Sequence, residues 1–168
     1  EEFIDGREFT CLIAENPDDP QHPITFKPVE FIFPEGESFK HYDMKWVDYE
    51  KMSVAAVTDP RIEKTLRAQT ERMFKVLNGN GYARCDYRMD STGTIYMLEI
   101  NPNCGIFYPP HEPGSADFSL LNDRTNHTKF MKLIIRNAQM RQTRIAAEKI
   151  IKRQTRKRAI EVEQMAYS

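Results

Sequence analysis

The chain has 168 residues, 40% of them hydrophobic and 29% charged, with a formal net charge of -1. That length suits one domain, or one domain plus an extension, and the apolar content is enough for an ordinary core. The near-zero net charge excludes a global field that would gather nucleic acid or anionic lipid, and no run approaches the ~18 apolar residues of a membrane span.

Cys11, Cys85 and Cys104 are widely spaced and lack C-x-x-C. They read as reduced thiols of an intracellular, cytoplasmic protein, not as a disulfide framework. His22, His41, His111 and His127 show no metal-ligand spacing. The sequence opens on EEFIDGREF with no initiator Met, so it is expected to be a piece of a longer protein, and an upstream targeting segment is left open.

In chain order, residues 7–15 (REFTCLIAE) suit a strand, and NPDDPQHP after them is a turn-rich connection. Residues 27–33 (KPVEFIF) suit a second strand closed by Pro34. The aromatic FKHYDMKWVDY that follows is expected to be a strand or an ordered loop. A helix comes next: Asp59 is a natural N-cap and Pro60 fits the first turn. Ile62, Leu66, Met73 and Leu77 form its apolar stripe, and Asn78-Gly79 ends it.

Residues 82–105, YARCDYRMDSTGTIYMLEINPNCG, are two alternating runs about the turn Asp90-Ser91-Thr92-Gly93. Folding them over that turn sets 84 opposite 99. One face then carries Arg84, Asp86 and Arg88 with Met97, Glu99 and Asn101. The other carries Cys85, Tyr87 and Met89 with Tyr96, Leu98 and Ile100 and is the core face. A one-residue bulge would change this register. Two carboxylates, a carboxamide and a guanidinium on one face suit Mg2+, which takes one or two carboxylates plus substrate phosphates; a solvated, salt-bridged outer face is the plain alternative. Pro102 ends the second strand, and backbone amides near Gly105 suit an anion. A Pro- and Gly-bearing loop runs to Gly114, and from about Asn126 the pattern is helical to near the end. The order of strands, helix, hairpin and long helix is an α+β arrangement.

The hairpin resembles the metal-binding hairpin of the ATP-grasp ligases, in the form found in D-alanine–D-alanine ligases: R-x-D, a turn, then L-E-x-N with a nearby Gly. EEFIDGREFT is similar to the family's adenine hinge and the acidic residue after it, and YDMKW to its Y-[DE]-x-K-[YW] segment. The resemblance covers residues 1–138 and implies an antiparallel sheet flanked by helices, the C-terminal catalytic subdomain, followed by a helical extension over 139–168.

It also implies roles. The backbone of Glu1, Glu2, Phe3 and Ile4 would meet the adenine edge, Glu8 the ribose hydroxyls and Lys45 the phosphates. Asp86, Glu99 and Asn101 would hold two Mg2+ ions (or Mn2+), with Glu99 bridging. Arg84 would face the transferring phosphoryl group, and the Gly105 amide would be an oxyanion donor. The implied activity is an ATP- and Mg2+-dependent carboxylate–amine ligase working through an acyl phosphate on small-molecule substrates. Such a ligase forms a C–N bond and needs the rest of the same enzyme upstream. One departure touches the acceptor. After the glycine the family has a short Ser-Leu segment, whereas this chain reads IFYPPHEPGSADFSLLND, where Ser115 is a loose counterpart of that serine. Tyr108, Pro109, Pro110 and His111 would then build either a different acceptor pocket or a rigid surface loop.

Beyond the resemblance, residues 141–158 hold eight basic residues against the single Glu148, a net charge of +7. Without interleaved aromatics this is a poor nucleic-acid element, and a solvated helix continuing the packed one before it is the plain reading. The alternative to a ligase is an inactive nucleotide-binding or scaffold module that docks through this basic helix.

Overall fold

The computed structural model describes residues 2–37 and 52–166, with side chains through residue 156. Its centre is β1 (Arg7–Ala14), an eight-residue strand whose alternate side chains are all buried beyond Arg7. On one side β1 pairs with β3 (Val29–Ile32), which carries β4 (Ser53–Ala56) at the sheet edge, and β2 (Ile24–Thr25) adds two residues at the end of β1. On the other side lies the hairpin of β5 (Tyr82–Met89) and β6 (Ile95–Pro102). Every pairing is antiparallel and the order is β4-β3-β1-β5-β6. The expected α+β class, an antiparallel sheet flanked by helices, is the one observed.

Helix α1 (Pro60–Val76) starts as its sequence dictates: the Asp59 carboxylate accepts from the amides of Arg61 at 2.8 Å and Ile62 at 3.4 Å, and Pro60 needs no partner. It stops where Asn78 turns left-handed (φ 51°) and the Gly79 amide returns to the Phe74 carbonyl at 2.8 Å. The buried positions are Leu66, Thr70 and Phe74. Leu77, expected on the inner stripe, is exposed because it lies past the last turn, at the C-cap.

The period of two on β1 sorts the core. Phe9 and Cys11 face α1 with Cys85, Tyr87, Met89, Val57 and Leu66, and Ile13 continues that layer with Phe74 and Ala83. The Tyr87 hydroxyl is satisfied inside this layer by Thr70 Oγ1 at 2.6 Å. On the opposite face Leu12 and Ala14 pack under α2 (Ser115–Leu121) and α3 (His127–Ala166), with Phe26, Cys104, Ala116, Leu120 and Phe130. At the Glu8–Thr10 end the same face carries polar side chains.

The hairpin register differs from the expected one. Arg84 lies opposite Asn101 and Asp86 opposite Glu99, yet Tyr87 lies opposite Met97, so Leu98 is an extra residue in β6. This is the β-bulge geometry of two residues against one. The four polar groups still share one face, because the shift from the expected pairing is two residues there. Beyond the bulge the parity reverses. Ile95 and Met97 turn to the core, and Tyr96 and Leu98, expected inside, are exposed.

α3 runs unbroken through residue 138 and is tied in its first half to the end of β1 and the loop after it. Asn137, 2% exposed, donates to the Glu15 carbonyl at 2.8 Å, Arg141 meets the Glu15 carboxylate at 2.7 Å, and Arg136 pairs with Asp18. The side chains of residues 145–156 are all exposed. No helix among the described residues is long and apolar enough to cross a membrane.

Candidate functional site

Three adjacent strands bring the polar groups together. Asp86 on β5 faces Thr10 on β1 and Glu99 on β6, and one pair along, Arg84 faces Asn101. Arg84 grips Asp86 bidentately, Nε to Oδ1 at 2.9 Å and Nη2 to Oδ2 at 2.7 Å, the geometry that suits a planar guanidinium and a carboxylate. Thr10 Oγ1 donates to Asp86 Oδ1 at 2.6 Å. The Asn101 carboxamide donates to both carboxylates, Asp86 at 3.1 Å and Glu99 at 2.9 Å. Burial opposes the Arg84 charge, but the Asp86 carboxylate more than offsets it, and the guanidinium pKa ends above its ordinary value.

This donor set fits a hard divalent cation. Two carboxylates and a carboxamide offer oxygen ligands, and turning the carboxamide about its terminal bond puts its oxygen where the nitrogen now bridges the carboxylates. Among the described residues no cluster of three His, Cys, Asp or Glu side chains could enclose a metal.

Upstream, the segment before β1 lies against the far end of the same face. Phe3 is exposed and Ile4 half-buried, whereas Glu8 is buried beside Arg88, whose Nη1 donates to it at 3.2 Å. Glu1 and Lys45, with the whole YDMKW segment, lie outside the described residues.

Downstream, Cys104 is buried and Gly105 exposed. The Tyr108 ring lies against both Gly105 and Gly114, where a β-carbon would run into it. Ser115 is the first residue of α2.

Sequence reasoning missed what holds this loop. Asp117, 1% exposed, accepts from the amides of Phe107 at 2.9 Å, Tyr108 at 3.3 Å and Gly114 at 2.9 Å, and His127 Nε2 lies 2.7 Å away. The Gly-Ser-Ala-Asp spacing, an acid at the third helical position, was the available signal. Thr10 was also missed, although the alternation Glu8, Thr10 on β1 already set it beside the hairpin's polar face.

Comparison with known proteins decides the family. The family model described as D-ala D-ala ligase C-terminus matches residues 1–116. The chain belongs to that family. Among curated relatives, the D-alanine--D-alanine ligase of Cupriavidus necator is 27% identical over 106 residues, 63% of this chain and 31% of that protein. D-alanine--D-alanine ligase B of Chromobacterium violaceum is 30% identical over 106 residues, 63% of this chain and 32% of its own. The chain thus spans about a third of the length of the curated relatives it matches.

Solved structures share the fold. The D-alanine-D-alanine ligase of Coxiella burnetii superposes with a TM-score of 0.66 at 18% identity, covering 91% of this chain and 38% of that one. The Bacillus anthracis D-alanine--D-alanine ligase, solved in complex with ATP, gives 0.61 at 17% identity over 89% of this chain and 42% of its own. The D-ala D-ala ligase C-terminal fold therefore carries the polar cluster on the face of β1, β5 and β6 left uncovered by α1.

Proposed function

We propose that this chain is the C-terminal catalytic part of an ATP- and Mg2+-dependent carboxylate–amine ligase. The observation that carries the reading is the Arg84–Asp86–Asn101–Glu99 network, assembled from two strands on the face that α1 leaves uncovered. The ATP complex of the Bacillus anthracis relative supports the nucleotide assignment.

In the reaction so proposed, a substrate carboxylate oxygen attacks the γ-phosphorus of ATP, the bond to the β,γ-bridging oxygen breaks, and an acyl phosphate and ADP result. An amine then attacks the acyl carbon, inorganic phosphate leaves, and the nitrogen loses a proton to give the amide. Bound Mg2+ supplies neutralisation of the phosphate charge, and Asp86, Glu99 and Asn101 would hold it. The chain's own contribution is positioning and electrostatics, as phosphoryl transfer demands. Arg84 presents its guanidinium to the phosphoryl oxygens while Asp86 fixes its plane. Glu8 would orient the ribose, and the roles of the residue 1–4 backbone at the adenine and of Lys45 at the phosphates are those the family resemblance implies. The Gly105 amide would stabilise the oxyanion formed when the amine attacks.

The divisions 1–138 for the catalytic subdomain and 139–168 for the extension belong to this proposal, as do small-molecule carboxylate and amine substrates and an upstream part of the same enzyme. The loop of residues 105–114, pinned by Asp117, is where the acceptor amine would be selected. Three free, buried cysteines support a reducing compartment, which we take to be the cytoplasm.

The test is calorimetric titration of ADP with and without Mg2+ into the full-length protein and its Glu99→Gln variant. The expected result is Mg2+-dependent binding that weakens about tenfold or more in the variant, whose fold is unchanged because Glu99 faces away from the core. Full-length protein that binds no ADP in the presence of Mg2+ would sink the ligase reading.

A further inference from the structure

Arg88 is a buried charge that none of the roles above uses. It is 3% exposed and lies at the far end of the polar face from the carboxylate cluster, directly opposite Glu8 in the β1–β5 ladder. Its guanidinium donates in three directions. Nε reaches the Ile4 carbonyl at 2.6 Å, Nη2 the Gly6 carbonyl at 3.0 Å, and Nη1 the Glu8 carboxylate at 3.2 Å. The exposed Phe3 ring lies over it, with the guanidinium carbon 5.1 Å from the ring centre.

A buried guanidinium costs several kcal/mol of lost hydration unless its donors are satisfied. A surface arginine in the same strand would hold β5 equally well, so the burial serves the segment that it grips. That segment is irregular backbone before the first strand, with no ladder of its own. A second contact fixes it at the neighbouring residue: Gly6 has φ +142°, and a β-carbon there would overlap the Met89 carbonyl oxygen. Residues 4–6 are therefore bolted to consecutive residues of β5, by a side chain at 88 and by close backbone contact at 89.

We propose that Arg88 is a positioning residue of the nucleotide site. It locks the adenine-framing backbone and the Glu8 carboxylate into one frame, so that base and ribose are recognised by a preformed unit. The proposal rests on the ligase reading above, and it adds that nucleotide affinity depends on a residue which touches neither base nor phosphate. Lysine cannot replace arginine here. An ammonium is a compact point charge, whereas the rigid fork spans two carbonyls and a carboxylate at once.

The experiment compares wild type, Arg88→Lys and Arg88→Met in the full-length protein. Two readouts are used: hydrogen exchange of the amides in residues 2–9 without ligand, and calorimetric titration with Mg-ADP. In Arg88→Lys, folded with a near-native near-UV spectrum, exchange should quicken in residues 2–6 but not in β5, and the Mg-ADP Kd should rise about tenfold. Arg88→Met, if it folds, should show both effects more strongly. Unchanged exchange in Arg88→Lys overturns the proposal. Faster exchange with unchanged Mg-ADP affinity also overturns it, and leaves Arg88 a purely structural residue. Wild type that fails to bind Mg-ADP overturns the ligase reading and this proposal together, whereas normal wild-type binding with unaffected variants overturns this proposal alone.

Discussion

Asp117 gives the sharpest test of how the loop after the polar hairpin is held. Each of its oxygens serves two groups: Oδ1 takes the Phe107 amide at 2.9 Å and faces His127 Nε2 at 2.7 Å, and Oδ2 takes the amides of Gly114 at 2.9 Å and Tyr108 at 3.3 Å. Asp117→Asn keeps size and shape but turns one acceptor into a donor. The cheaper orientation places the new NH2 at the Oδ1 position. There the imidazole can accept by changing tautomer, and the Phe107 amide alone is left without an acceptor. An orphaned buried donor costs about 1–3 kcal/mol, and the remaining bonds lose the strength that a charged acceptor lends them. The net loss is about 2 kcal/mol, which for a chain of this size lowers Tm by about 4–8 °C. Thermal unfolding followed by circular dichroism measures it directly. A fall of less than about 1 °C would refute the claim that this carboxylate organises the loop.

Three further outcomes are expected. Gly6→Ala puts a β-carbon into the Met89 carbonyl at a left-handed φ; it should cost at least about 2 kcal/mol in urea unfolding, and a neutral result would mean that residues 4–6 are not bolted to β5. Tyr87→Phe removes the 2.6 Å bond to Thr70 inside the core and should lower stability by about 1–2 kcal/mol; an unchanged urea midpoint would show that Thr70 is satisfied without it. Burial pushes the Cys11 thiol up to about 12, and those of Cys85 and Cys104 up to about 11, from an ordinary 9.0. Unfolded thiols therefore ionise first and the unfolded state binds fewer protons above pH 9, so stability is full below pH 9 and falls as pH rises toward 12. Urea unfolding at pH 8 and pH 10.5, repeated with all three cysteines changed to Ala, should show a steeper loss in wild type; equal slopes would contradict the burial argument.

Much of this architecture is legible in single residues. Asp59-Pro60 and Asn78-Gly79 bracket α1 because capping is local chemistry, satisfied within a few residues of the signal. The polar face of the hairpin is legible because alternation survives a shift of two residues. The bulge at Leu98 was not legible, since Leu suits either side of a strand and nothing local requires the extra residue. β2 and β4 have two and four residues and depend on the strands beside them, so no periodicity announces them. The role of Asp117, and what Arg88 grips from its place on the polar face, escaped for a related reason. What they hold is backbone brought near by the fold, and a single sequence lists neither carbonyls nor amides as partners.

The extra residue in β6 also decides which deletions this hairpin can survive. Without Leu98, Glu99 would still face Asp86 and Met97 would still face Tyr87, and the ladder would become a regular alternation with every side chain on its present side. Removing Ile100 has the opposite result: Glu99 and Asn101 become neighbours, and one of them must point into the layer of Tyr87 and Leu66. Two deletions of equal length, two residues apart, therefore differ in kind: the first trims a loop of slack from the strand, and the second pushes a polar side chain into oil.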